Sequence, residues 1–253
     1  MFKHAIVKRP GRSLVNGITS ASLGKPNYEL ALRQHDRYIE ALQSCGITVT
    51  VLDADEQYPD SVFVEDTAVL TEKCAVITNP GAPSRQGEEI SIAKALEEFY
   101  THIERITAPG TLDGGDVMRV GDHFYVGRSA RTNEEGSRQF AEILNQFGYS
   151  AAKVSMAEVL HLKTGLAYLE NNNLLVAGEF LHYEEFEIFN RIRIAEEESY
   201  AANCIWVNGV VMVPLGFPKT KAAIEAAGYK ILAVDVSEFR KLDGGLSCLS
   251  LRF

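Results

Sequence analysis

The chain has 253 residues, 46% of them hydrophobic and 23% charged, with a formal charge of −9. This length can bury roughly three quarters of the unfolded surface, enough for one large core. The acidic balance argues against nucleic acid or an anionic membrane as partner, since either calls for a basic face.

No apolar run approaches the roughly 20 residues of a membrane span, and the N-terminus lacks the apolar region of a signal peptide. The four cysteines (Cys45, Cys74, Cys204, Cys248) are scattered. They form neither a disulfide framework nor a zinc ribbon. Reduced thiols and a cytoplasmic location are expected.

His4–Lys8 reads as a short strand ended by Pro10-Gly11, and residues 12–25, rich in Gly, Ser, Thr and Asn, read as a loop. Asn27 opens a helix over 28–44, with Leu30, Leu32, His35, Ile39 and Leu42 near a helical period and Gly46 beyond its end. Residues 48–52 form the next strand. In 60–70 a β-rich run is interrupted by the adjacent carboxylates Glu65 and Asp66, and a strand at 74–78 follows. A loop at 80–87 holds Arg85, and an amphipathic helix covers 88–100.

The pattern recurs. Asp113-Gly114-Gly115-Asp116 precedes a strand at 117–120, a Gly121-Asp122 turn, a strand at 124–126, a loop with Arg131 and a helix at 133–147. A third copy reads strand 166–169, turn 171–173, strand 174–177. A fourth reads strand 204–207, an Asn208-Gly209 hairpin turn, strand 210–213 and a helix over 219–228. The tail after Cys248 alternates apolar and polar residues, as a final strand would.

Asp66 and Asp116 lie 50 residues apart, as do Val76 and Val126, and again Val126 and Val176. Such a period predicts an α/β chain of about five modules, each strand, turn, strand, loop, helix, strand, with the two terminal strands closing one module together. Closed into a ring, the modules would leave no exposed sheet edge. The rival is an open α/β sheet with local resemblances.

Cys248 follows a glycine pair where a loop enters the last strand. A cysteine nucleophile needs a lowered pKa or an adjacent base, and a group to protonate what leaves. His161, in the apolar run Leu160-His161-Leu162, is the candidate partner against the bland reading of a core histidine. His35 and His102, among polar neighbours, read as surface. Asp60, Glu65, Asp66, Asp113 and Asp116 fall before equivalent hairpins. Singly such acids are turn formers, but together they suit a planar guanidinium. Arg85 and Arg131 occupy corresponding loops and suit a carboxylate, although each alone reads as a solvated charge.

Several stretches taken together resemble the dimethylarginine dimethylaminohydrolase family of the pentein superfamily. They are Asp-Gly-Gly before Cys248, Leu-His-Leu-Lys-Thr around His161, Phe-Val-Glu-Asp at 63–66 and Leu-Asp-Gly-Gly-Asp at 112–116, with Ser-Ala-Arg-Thr-Asn at 129–133 and Ala-Ala-Asn-Cys-Ile at 201–205. The resemblance spans essentially the whole chain. It implies a five-bladed α/β propeller forming one catalytic domain, 1–253, that hydrolyses Nω-methylated arginine to citrulline with no metal or organic cofactor. It makes Cys248 the nucleophile, His161 the general acid and base, and Asp113 the carboxylate that orients His161. That position is often glutamate in bacterial members and aspartate in mammalian ones.

By the same resemblance Glu65 and Asp66 bind the guanidinium, Asp60 sits near the substrate amino group, and Arg85 and Arg131 hold the α-carboxylate. Ile18 lies in a lid. The implied partner is a small molecule, and a symmetric dimer is compatible. Hydrolysis of another substituted arginine such as hydroxyarginine, or a non-catalytic binding role, are the alternatives. A zinc site of Cys204, Cys248 and His161 fits no structural zinc spacing.

Overall fold

The computed structural model describes residues 1–157 and 159–253. Their contacts divide into two compact units, Met1–Phe63 with Gly165–Phe253, and Val64–Thr164.

The first unit opens with strand β1 (His4–Lys8), helix α1 (Tyr28–Ser44) and strand β2 (Thr48–Leu52), at the boundaries the sequence predicts. The Asn27 side chain accepts the Leu30 N–H and so satisfies a first-turn donor that the helix itself cannot. The 12–25 stretch is not all loop. Arg12–Asn16 make a 3-10 turn, and the Arg12 and Ser13 amides donate to the Glu56 carboxylate.

The second unit holds two sheets. One comprises β3 (Ala68–Leu70), β4 (Ala75–Ile77), helix α2 (Glu88–Leu96) and β5 (Ile103–Arg105). The other comprises β6 (Val117–Val120), β7 (His123–Arg128), helix α3 (Glu134–Gln146) and β8 (Ser150–Ser155). In each, two strands pair as an antiparallel hairpin, and the third returns through the helix to lie parallel to the second. Helix α2 is shorter than expected because the Leu96 carbonyl takes the amides of both Phe99 and Tyr100, which closes its last turn. Phe124, Phe140, Leu144 and Tyr149 centre the apolar core of this unit.

A short helical turn, α4 (Leu162–Gly165), leads back to the first unit. There β9 (Leu166–Tyr168), β10 (Asn173–Val176) and β11 (Asn190–Arg193) form one sheet. Next come β12 (Ile205–Val207), β13 (Val210–Pro214), helix α5 (Pro218–Ala226) and β14 (Lys230–Val234). Helix α6 (Ser237–Arg240) precedes β15 (Leu251–Arg252). Strand β15 pairs antiparallel with β1, which runs parallel to β2, so the terminal strands complete a fifth sheet of the same pattern. The third module departs from the expected repeat. Two 3-10 turns, Gly178–His182 and Glu184–Phe186, replace its helix and bring the fourth module early. No helix among the described residues is long and apolar enough to cross a membrane.

One expectation is overturned. His35 is not at the surface but fully buried, on the inward face of α1 with Tyr38, Ile39 and Leu42, and next to the Phe239 ring. Neither ring nitrogen has a partner among the described residues. Burial, with Arg9 nearby, lowers its pKa from 6.5 to about 4. The unfolded chain therefore takes up the proton first, and stability falls as the pH drops from about 6.5 towards 4. At pH 5 the loss is about 2 kcal/mol. Urea midpoints measured from pH 7 to pH 5 should fall in the natural protein and fall much less in His35→Met.

Candidate active site

Each of the five sheets is preceded by a short helical turn: Val64–Thr67, Gly114–Asp116, Leu162–Gly165, Glu196–Ala202 and Ser247–Leu249. Glu65 and Asp66 lie on the first, Asp113 caps the second, His161 precedes the third, and Cys248 lies on the fifth. The carboxylates and the cysteine therefore lie on or beside short turns ahead of the first strands, where the sequence placed them. A 3-10 turn spaces successive side chains a third of a revolution apart, so neighbours such as Glu65 and Asp66 can meet different partners.

In the second unit, His161 Nε2 lies 3.1 Å from Asp113 Oδ2, and Asp113 Oδ1 accepts the Gly81 N–H at 2.8 Å. The Asp113 amide donates to Thr132 Oγ1. Asp66 accepts the Gly115 N–H at 2.9 Å on one oxygen and Arg85 Nη1 at 2.5 Å on the other. Gly115 separates Asp66 from the imidazole. A methyl group there would fall 2.8 Å from both Asp66 Oδ1 and His161 Nδ1, which is why the position is glycine. Asp116 takes the Leu162 N–H on Oδ1 and the hydroxyls of Ser129 and Thr132 on Oδ2, so it ties down the residue after His161.

These contacts set the protonation of the site. Burial alone would lower the His161 pKa. The charge of Asp66, the Asp113 hydrogen bond and the charges of Asp116 and Asp113 overcome it and push the imidazole up to about 9. Burial likewise opposes ionisation of Asp66, but the imidazolium, Arg85 and the Gly115 amide hold its carboxyl down to about 2. For Asp116 burial prevails over the imidazolium and its three donors, and its pKa is raised. His161 is therefore an imidazolium at neutral pH. The donor atoms of Asp66, Asp113 and His161 lie within 4.8 Å of one another, close enough for a metal. A cation entering there would have to displace the proton that the same carboxylates stabilise.

Glu65 is buried and receives Lys163 Nζ at 2.6 Å. Arg85 corrects an expectation. It is not an open loop charge but a buried guanidinium held by Asp66 and, through Nε and Nη2, by Glu88. Arg131 is half-buried, and its guanidinium has no partner among the described residues.

In the first unit, half-buried Cys248 receives the Gly245 N–H at 3.4 Å, and Ser247 Oγ lies 4.0 Å from its sulfur. Tyr38 and Tyr200 donate to the carbonyls of Leu246 and Gly244, bracing the turn. The left-handed residue here is Asp243, at φ 58°, rather than either glycine. The glycine pair serves close approach instead. A Cβ on Gly244 would fall 2.2 Å from the Phe63 ring, and one on Gly245 would fall 2.5 Å from the Asn203 amide.

Asp60, also buried, accepts the Ile18 N–H on both oxygens, at 3.0 and 3.2 Å. The Ser20 amide and hydroxyl donate to Asp243, and Thr19 Oγ1 donates to the Lys241 carbonyl. The loop around Ile18 is thus pinned through its backbone, while the Ile18 side chain stays exposed.

A family model described as N,N dimethylarginine dimethylhydrolase, eukaryotic, matches residues 19–198. An N(G),N(G)-dimethylarginine dimethylaminohydrolase of Pseudomonas aeruginosa is 58% identical, the alignment covering 100% of each chain. The chain belongs to the dimethylarginine dimethylaminohydrolase family. Two solved structures of the family match at a TM-score of 0.99 and 58% identity over 100% of both chains. One is a cysteine-to-serine mutant of the Pseudomonas aeruginosa enzyme complexed with citrulline. The other is a histidine-to-glycine variant as an adduct with S-methyl-L-thiocitrulline. The family fold, a five-module α/β propeller of the pentein type, is the fold of this chain.

Asp116, grouped in the sequence with the acids suited to a guanidinium, instead anchors the Leu162 amide, and Asn203, to which sequence reasoning assigned no task, is brought forward by the structure. The available signal for Asn203 was the repeat, because it lies just before a first strand, as the site residues of the other modules do. The charge arrangement gives a direct test in the family's terms. In Asp113→Asn the imidazole loses the charge on its acceptor, so NMR titration of His161 should show its pKa falling by at least about one unit, worth 1.4 kcal/mol.

Proposed function

We propose that this chain hydrolyses Nω-methylated arginines to citrulline and methylamine or dimethylamine, through a covalent thiouronium on Cys248. The observation that carries the reading is the buried His161 imidazolium among Asp66, Asp113 and Asp116, in a chain of this family. An acid held protonated to about pH 9 is what a departing amine needs.

The guanidinium carbon is a weak electrophile because its charge is delocalised. Asp66 and Glu65 are the carboxylates we assign to it, and much of the rate comes from fixing its plane for attack. The cationic substrate favours the thiolate, so the Cys248 proton leaves to solvent as it binds. The sulfur attacks the central carbon and a C–S bond forms. His161 gives its proton to the methylated nitrogen, the C–N bond breaks, and the amine departs. The now neutral His161 takes a proton from water as its oxygen adds to the thiouronium carbon. The C–S bond then breaks as the hydroxyl proton is lost to solvent, releasing citrulline and the Cys248 thiolate.

We assign Asp113 to orienting His161, Asp60 to the α-ammonium, Ile18 to a lid and Arg131 to the α-carboxylate. Arg85, which the family resemblance pairs with Arg131 on the α-carboxylate, is shared between Asp66 and Glu88, and we assign it to fixing Asp66. The whole of 1–253 acts as one catalytic domain in this reading. A cytoplasmic location suits it, since a nucleophilic thiol must stay reduced. A symmetric dimer is the assembly we propose, to be read by light scattering.

Cys248→Ser and His161→Gly should fold and lose turnover by roughly three orders of magnitude or more, and full activity in either would sink the assignment. Arginine, monomethyl-, dimethyl- and hydroxyarginine as rival substrates settle which substituent the site prefers. The acid form of His161 is complete at neutral pH and lost as pH rises, so turnover should decline above about pH 9. A profile that stays flat beyond it would remove His161 from the role of acid.

A further inference from the structure

Five turn segments precede the first strands of the five sheets, and four of them carry or directly adjoin a residue with a part in the reaction proposed above. The remaining segment, Glu196–Ala202 before β12, ends in Asn203 and has been given none. We infer that Asn203 is a positioning residue for the nucleophile, clamping Ser247 so that the turn bearing Cys248 has one arrangement. The inference rests on the reading of Cys248 as nucleophile.

Asn203 uses both ends of its side-chain amide on one residue. Its Oδ1 accepts the Ser247 N–H at 2.8 Å, and its Nδ2 donates to Ser247 Oγ at 3.0 Å. The two residues are 44 apart in sequence, so the clamp is a tertiary contact. Both are buried, at 8% and 3% exposure. Hydrogen bonds shielded to this degree are costly to leave unmade. The same amide packs against Gly245, where a methyl group would fall 2.5 Å from its carbon and oxygen.

Asn203 is thus wedged between Gly245 and Ser247. These residues place an amide and a hydroxyl 3.4 and 4.0 Å from the Cys248 sulfur. The amide suits this place better than a carboxylate. An aspartate could accept both the Ser247 N–H and its hydroxyl proton, but it would then take the hydroxyl proton away from the sulfur and bring a negative charge close to a forming thiolate. An alanine would leave the buried Ser247 N–H without its acceptor and open space beside Gly245. The turn could then rotate and carry the sulfur off the line of attack, and a displacement of about 1 Å can lower a rate by about a hundredfold.

Steady-state kinetics on the full chain with dimethylarginine, together with iodoacetamide labelling of Cys248 followed by peptide mass spectrometry, test this. Asn203→Ala should lower kcat by about 10- to 100-fold with KM within about threefold of the natural protein, and it should change the labelling rate. Asn203→Asp should recover part of the lost kcat and shift the pH dependence of labelling upwards, which a residue that only stabilises the fold would not do. Unchanged kcat in Asn203→Ala, a loss confined to KM, or labelling with the rate and pH profile of the natural protein in both variants would overturn the inference. Where Asn203→Ala does not fold, Ser247→Ala decides: a fall in kcat at constant KM supports the clamp, and an unchanged kcat overturns it. Turnover that survives Cys248→Ser would instead strike the reading of the nucleophile, so the two failures are told apart.

Discussion

A protonated imidazole buried among carboxylates is the interaction on which the second unit is built. Burying any one of these charges alone would cost several kcal/mol. Burying them as a set works because each has a partner at hydrogen-bond distance. Asp66 stands at the centre, facing His161 on one side and Arg85 on the other, with the Gly115 amide between. Arg85 is in turn held by Glu88. Opposite charges thus alternate through the buried set, and His161 and Asp66 stay charged because of their neighbours. Removing one member changes the protonation of the next, not merely a contact.

This arrangement explains why the chemistry sits on turns. A strand alternates its side chains between two faces, so two adjacent carboxylates could not both be directed into one buried cluster and its rim. The turns before the first strands solve that locally, with Asp66 engaging Arg85 while Glu65 engages Lys163. Hydroxyls complete the framework. Ser129 and Thr132 donate to Asp116 and also accept main-chain amides, joining the loop after β7 to the segment that presents His161. The sheets contribute the rigidity that such positioning requires.

Much of this was readable in the residues, and the exceptions share a cause. Helix α1 was legible to the residue because a cap, a helical period and a terminal glycine agree. The five modules were legible through the spacing of Asp66, Asp116 and the valines, until the helix missing from the third module broke the period. His35 was misjudged from its polar neighbours Gln34 and Asp36, although it shares the helical stripe of Ile39 and Leu42. A period reports facing better than neighbours do. Cys248, His161 and Asp113 stood out because three separate short motifs resembled one family. The burial of Arg85 and the two-ended grip of Asn203 on Ser247 join residues distant in the chain or in different elements. Neither propensity nor motif carries such information; only the tertiary fold does.

The loop that carries Ile18 has a thermodynamic character of its own. Glu56, Asp60 and Asp243 hold it by accepting the amides of Arg12, Ser13, Ile18 and Ser20, while Ile18 and Leu23 already face solvent. Releasing the loop would therefore expose little new apolar surface, and heat capacity follows apolar surface. Pinned and released forms would differ little in heat capacity, so the free-energy difference between them would change almost linearly with temperature. Acidity and ionic strength act on carboxylate acceptors directly. This loop, unlike the apolar core, is held by charge rather than by the hydrophobic effect.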